Sequence, residues 1–200
     1  GRSDFQDNAC SITGYTNAQH VWTCALSGMP DVKTSNPSTQ DKVAAYINKL
    51  KSFGVSMFRV DAAKHMAPGE LSAILGKAGN PWAFLEVIGA GGEASEIQPD
   101  KYTGINNAIV TEFGFASHLY GAFNDGNLAG LSGIANGKLG SDKAFVFVTN
   151  HDRERGHAHP PFAALVDQRD RRDLLFAEAA LAGIAQHPAV DRIDDLHVAR

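Results

Sequence analysis

Phe58-Arg59-Val60-Asp61-Ala62-Ala63-Lys64-His65-Met66, approached through Gly54-Val55-Ser56-Met57, reads as a short buried strand that breaks off on charged residues. Alternate residues of a strand share a face. Val55, Met57, Arg59 and Asp61 therefore point one way, and Ser56, Phe58 and Val60 the other. The Arg-x-Asp ending puts a cation and a carboxylate on one face, at the strand's carboxyl end. A neighbouring cation favours the ionised form of a carboxylate. Two readings stay open for Asp61: a carboxylate kept ionised for chemistry, or the cap of a helix beginning at Ala62.

Outward from this stretch the pattern alternates. Upstream, Val43, Ala44, Tyr46, Ile47, Leu50 and Phe53 recur at helical spacing from Thr39, and Gly54 follows as a stop. Downstream, Leu71, Ile74 and Leu75 predict a helix after Pro68-Gly69. Trp82 to Ile88 reads as a strand ending in Glu86-Val87-Ile88, followed by the turn Gly89-Ala90-Gly91-Gly92. Ala108 to Phe113 is a third strand, and Phe115 to Leu131 carries one or two helices. Ala144 to Val148 is almost continuously apolar, which predicts a strand buried on both faces, and it leads into Thr149-Asn150-His151-Asp152. Strands separated by helical segments predict parallel βαβ units and an α/β fold.

Three of these strands finish on ionisable residues: Asp61, Glu86, and the pair His151 and Asp152. In a (β/α)8 barrel, active sites lie where the carboxyl ends of the strands meet the following loops. Carboxylates at equivalent strand ends converge there. Two carboxyl groups flanking a bond, one nucleophile and one acid, is the arrangement of glycoside chemistry.

Composition narrows the classes. The chain has 200 residues, 44% hydrophobic and 20% charged, with a net charge of −4 and a pI near 6.0. That balance is globular and argues against a nucleic-acid surface. No apolar run reaches membrane-spanning length. The chain opens at Gly1 without a leader, as an internal fragment would. Residues 1–38 lack helical or strand periodicity and are rich in turn-forming Gly, Asn, Ser, Thr and Asp. Cys10 and Cys24 lie in this region. They are either two buried thiols or a disulfide, which at this loop size is worth about 3 kcal/mol in the chain-entropy model. A disulfide would imply export.

The quoted stretch, Glu86-Val87-Ile88 with Gly91-Gly92-Glu93-Ala94, and Phe147-Val148-Thr149-Asn150-His151-Asp152 resemble three ordered signature regions of the α-amylases. Val110-Thr111-Glu112-Phe113 is similar to the family's strand between the last two. The resemblance covers residues 1 to about 157. It implies part of a (β/α)8 TIM barrel, about strands 4–7, with residues 1–38 as the end of an inserted calcium-binding loop domain and 39–157 as the barrel segment. It implies endo-hydrolysis of α-1,4-glucosidic bonds in starch by a retaining double displacement. Asp61 would be the nucleophile, Glu86 the general acid/base with a raised pKa, and Asp152 the stabiliser of the transition state. Arg59 would orient Asp61, while Lys64, His65 and His151 would contact sugar. Asp31 and the main-chain carbonyl of His65 would be calcium ligands, a partial set for an ion that takes about six to eight oxygens. Arg59 and Asn150 would be two chloride ligands, as in the chloride-binding subset. Cys10 and Cys24 resemble a disulfide pair of the loop domain. The full-length enzyme would be a secreted monomer acting on starch and malto-oligosaccharides, without nucleic-acid or membrane partners.

The family's first signature, an Asp and a His on an early strand, has no counterpart here. After Gly156-His157 the match stops and composition shifts, so 158–200 reads as a tail from a shifted frame, a joined sequence or a divergent end. With its barrel incomplete, the isolated chain is expected to be inactive. Two other functions fit the same motifs: a glucan transferase of the family, and a non-catalytic carbohydrate-binding relative.

Overall fold

The computed structural model describes residues 2–7 and 10–154, so the expectation for 158–200 falls outside the described residues. These residues group into two compact units, one of the described residues up to 112 together with 139–144, the other of 113–138 together with 145–154.

The first unit opens with a loop region tied down at several points. Phe5 and Val32 form an antiparallel bridge, Ser11 and Ala25 a parallel one. Cys10 and Cys24 are joined as a disulfide. Between them lies a helix that periodicity does not reveal, α1 (Ala18–Thr23), capped by the Asn17 side chain accepting from the His20 N–H. Six residues are fewer than two turns, too few to display a 3.6-residue repeat.

Helix α2 (Pro37–Ser52) starts two residues earlier than its apolar pattern. Asn36 caps it by accepting from the Ser38 N–H, and Pro37 takes the first-turn position where no N–H is needed. Gly54, at φ +96°, turns the chain out of it. Helix α3 (Pro68–Lys77) packs beside α2, and the Lys51 ammonium donates to the Ala78 carbonyl at 2.7 Å.

Strands β1 (Met57–Val60), β2 (Trp82–Leu85), β3 (Ala108–Thr111) and β4 (Ala144–Phe145) form one sheet in the order β1-β2-β3-β4. β1 and β2 pair in parallel with Arg59 opposite Phe84, and β2 and β3 in parallel with Phe84 opposite Ile109. One face carries Ala83, Leu85, Ala108 and Val110, which pack with Leu71 and Leu75 of α3, with Tyr102, and with Phe58 and Val60 of β1. Each large apolar side chain buried there contributes about 1.5–3 kcal/mol. The opposite face carries Arg59, Trp82 and Phe84, the two rings 6.3 Å apart.

The strands are shorter than the sequence predicts. Val55 is outside β1 because its N–H closes on Leu50 at the end of α2. β4 covers only two residues of the apolar run 144–148. Phe147, in the second unit, is buried by an edge contact with Phe113 at 4.8 Å and stacking on Phe145 at 6.5 Å. Aromatic packing therefore accounts for part of an apolar run that reads as strand.

In the second unit, α4 (Phe113–Asn124) is followed by a 3₁₀ turn at Leu128–Leu131, which the His118 ring meets through the Gly130 carbonyl at 2.9 Å. A last helical turn, α5 (His151–Glu154), follows. Among the described residues no helix is long and apolar enough to cross a membrane.

Candidate active site

The carboxyl ends of β1 and β2 bring together Arg59, Asp61 and Glu86. Arg59 donates from one terminal nitrogen to Asp61 Oδ1 and from the other to Glu86 Oε1 at 2.6 Å. The planar guanidinium fork suits two carboxylates at once. The two acids differ in environment: the Asp61 side chain is 70% exposed and that of Glu86 9%. The second Glu86 oxygen accepts from the Ala62 N–H at 3.0 Å. Ala62 adopts φ +46°, a left-handed conformation uncommon for a residue with a Cβ. Rather than starting a regular helix, the chain after Asp61 makes this turn and a short 3₁₀ segment, Ala63–His65. In the structure Asp61 makes an ion pair with Arg59, and the N–H of Ala62 is taken by Glu86.

Lys64 follows in the same segment and is 6% exposed. Its ammonium donates to the Ile88 carbonyl and to Glu93 Oε2 at 2.6 Å, and lies 4.7 Å from the centre of the Tyr15 ring. Glu93 Oε2 also accepts from the Ala90 N–H. The loops that follow β1 and β2 are thereby tied to each other.

The His65 ring lies 3.2 Å from both the Tyr15 hydroxyl and the Ala62 carbonyl. Burial pushes its imidazole below the ordinary value. The carbonyls on either side of His65, those of Lys64 and Met66, lie 3.1 and 2.8 Å from the hydroxyl of fully buried Tyr102. The segment that presents the His65 carbonyl is therefore strapped to the core.

Asp31 sits in the loop region with Oδ2 buried and without a hydrogen-bond partner. Burial, with the Glu70 charge adding to it, pushes its carboxyl up to about 6.

The second unit holds the other candidates. Asn150 caps α5, its side-chain oxygen accepting from the Arg153 N–H at 3.0 Å. His151 and Asp152 occupy the first turn, both substantially exposed, with Nε2 to Oδ1 at 3.5 Å.

No protein-family model matches the chain. An α-amylase of Aeromonas hydrophila is 49% identical over 159 residues, covering 78% of this chain and 35% of that protein. Pancreatic α-amylase 2a5 of Mus musculus is 40% identical over 172 residues, covering 77% of this chain and 33% of that protein. The crystal structure of α-amylase I from Eisenia fetida superposes with a TM-score of 0.72 at 34% identity, over 92% of this chain and 39% of that one.

The matched residues place the chain in the α-amylase family.

The chain spans about a third of the length of the curated α-amylases it matches. Its parallel sheet with intervening helices is accordingly part of a (β/α)8 barrel. Among the described residues no group of three or more His, Cys, Asp and Glu side chains could hold a metal ion. A calcium site assembled partly from carbonyls has no such signature. The orphaned Asp31 oxygen and the strapped His65 segment are chemically suited to a hard cation.

Sequence reasoning missed three residues of this α-amylase segment that the structure brings forward. Tyr15 lies in a turn-rich stretch, and only its contacts with Lys64 and His65 reveal it. Glu93 stood inside a quoted motif without a role of its own. Thr111 reads as an ordinary strand residue, yet its hydroxyl bonds both chain neighbours of Glu86.

Proposed function

We propose that the full-length protein to which this segment belongs hydrolyses internal α-1,4-glucosidic bonds of starch and malto-oligosaccharides with retention of configuration. The observation that carries this reading is the single guanidinium of Arg59 holding Asp61 and Glu86 at the ends of adjacent parallel strands. The related Eisenia fetida enzyme has been solved as a variant in complex with maltohexaose, which supports a malto-oligosaccharide substrate.

In this reading Glu86 first takes up a proton from solvent, and the exposed Asp61 carboxylate then attacks the anomeric carbon while Glu86 delivers that proton to the departing glycosidic oxygen. The C–O bond to the leaving sugar breaks, and a glycosyl ester forms on Asp61. Glu86, now ionised, takes a proton from water, whose oxygen displaces Asp61 and regenerates both groups. Arg59 keeps Asp61 aligned. Asp152 stabilises the oxocarbenium-like transition state, and His65 and His151 contact sugar hydroxyls. Lys64 borders the same loops. Asp31 and the His65 carbonyl are candidate calcium ligands, and calcium when bound would supply structural stabilisation. Arg59 and Asn150 are candidate chloride ligands, which activity measured with and without chloride tests. The enzyme acts outside the cell, where the Cys10–Cys24 disulfide persists.

The test is turnover of soluble starch by the full-length protein and its Glu86→Gln and Asp61→Asn variants. Loss of nearly all hydrolysis in both, with oligosaccharide binding retained, is expected. Wild-type turnover in either would remove that residue from its role. Elongated or cyclic glucans as main products would make the protein a transferase.

A further inference from the structure

We propose that Thr111 is a positioning residue for Glu86, acting through the backbone on both sides of it. The inference rests on the reading of Glu86 as the acid/base. Thr111 closes β3 and is 5% exposed. Its Oγ1 lies 3.0 Å from the Val87 nitrogen and 3.2 Å from the Leu85 carbonyl oxygen. A hydroxyl has one proton to give and lone pairs to accept with, so Thr111 accepts from Val87 and donates to Leu85. Those two residues are the chain neighbours of Glu86, and both are fully buried. One hydroxyl thus holds the two peptide units that set the direction in which the Glu86 side chain leaves the strand.

The position in the sheet explains why a side chain does this. The β2–β3 register runs to Leu85 opposite Val110, which puts Thr111 level with Glu86. On the other side the Glu86 N–H reaches the Val60 carbonyl of β1 at 3.0 Å. Glu86 is therefore fixed from β1 by a main-chain bond and from β3 by the Thr111 hydroxyl. That hydroxyl is committed to buried backbone, so it acts on Glu86 without touching substrate. Removing it leaves the buried Val87 N–H short of a partner and takes one of the bonds from the Leu85 carbonyl, and the local backbone must shift to satisfy the N–H. Displacing a catalytic group by about 1 Å costs on the order of 100-fold in rate.

The experiment compares Thr111→Val, Thr111→Ser and Thr111→Cys in the full-length protein on a malto-oligosaccharide of defined length. Thr111→Val keeps the shape and removes the hydroxyl. We expect its kcat to fall by at least about ten-fold with KM within about two-fold, while Thr111→Ser stays near wild type. A purely structural role would lower the melting midpoint without changing kcat per folded molecule. Folded Thr111→Val with wild-type kcat, or Thr111→Ser as impaired as Thr111→Val, overturns the proposal. If Thr111→Val does not fold, the Ser and Cys variants decide: kcat reduced in Cys but not in Ser supports it, and equal kcat overturns it. Failure of the underlying reading shows separately, as full activity in Glu86→Gln.

Discussion

Arg59 and Glu86 are joined at 2.6 Å across the β1–β2 pair, and the same guanidinium also holds Asp61. The pair is more than a surface contact, because the Glu86 side chain is 9% exposed. Replacing Arg59 with Ala should cost about 1.5–3 kcal/mol, the range for a hydrogen bond to a charged group. Replacing it with Lys keeps the charge but loses the fork, so one of the two carboxylates goes unheld. Both variants should lose most turnover in the full-length protein, with Lys losing less stability. Urea unfolding beside starch hydrolysis checks this, and wild-type turnover in Arg59→Ala would contradict it.

The Cys10–Cys24 disulfide staples a loop region that has few regular elements. Replacing both cysteines with Ser should lower stability by about 3 kcal/mol, the loop-closure value for this separation. Reduction of the wild type should lower the melting midpoint as far as the double replacement does. Identical midpoints would show that the core, and not the bridge, holds the loops.

Asp4 should make stability depend on acid pH. Lys42 donates to both of its oxygens, at 2.6 and 2.8 Å, and Thr39 donates at 3.0 Å. The Lys42 hydrogen bonds, first among the causes, hold its carboxyl well below the usual range. A lowered folded pKa means the unfolded chain binds more protons, so stability rises with pH. The contribution is complete above about pH 4 and is lost as pH falls below that. Asp4→Asn should flatten this part of the pH–stability profile, measured by thermal melts at intervals between about pH 6 and about pH 3. Equal slopes for the two proteins would contradict it.

What the sequence made legible follows physical range. Helix α2 announced itself through Val43, Ala44, Ile47 and Leu50, and α3 through Leu71, Ile74 and Leu75, because helical burial repeats over short distances. Arg59, Asp61 and Glu86 were legible as ionisable residues closing apolar runs. Lys64 was not legible as buried, because an ammonium ordinarily seeks water. Its carbonyl, carboxylate and ring partners come from elements far along the chain, Glu93 being 29 residues away. Thr111 was illegible for a related reason: a hydroxyl bridging a neighbouring strand leaves no mark on its own local sequence. Helix α1 escaped because six residues cannot show a period.

Calcium should stabilise the full-length protein through Asp31 and the His65 carbonyl. A ligand that binds only the folded state raises stability by mass action. Adding a chelator should lower the melting midpoint of the wild type, and Asp31→Asn should lower the midpoint in calcium while shrinking the effect of the chelator. A midpoint indifferent to chelation would count against the site.

The proposed double displacement requires Asp61 to attack the anomeric carbon and Glu86 to work from one face in both half-reactions. The most direct measurement is the anomeric configuration of the first product. Full-length protein is mixed with a malto-oligosaccharide in an NMR tube, and proton spectra are recorded before mutarotation sets in. Double displacement predicts that the new reducing end appears first as the α-anomer, the β-anomer growing in later. Initial release of the β-anomer would mean a single displacement by water, and would contradict Asp61 as nucleophile.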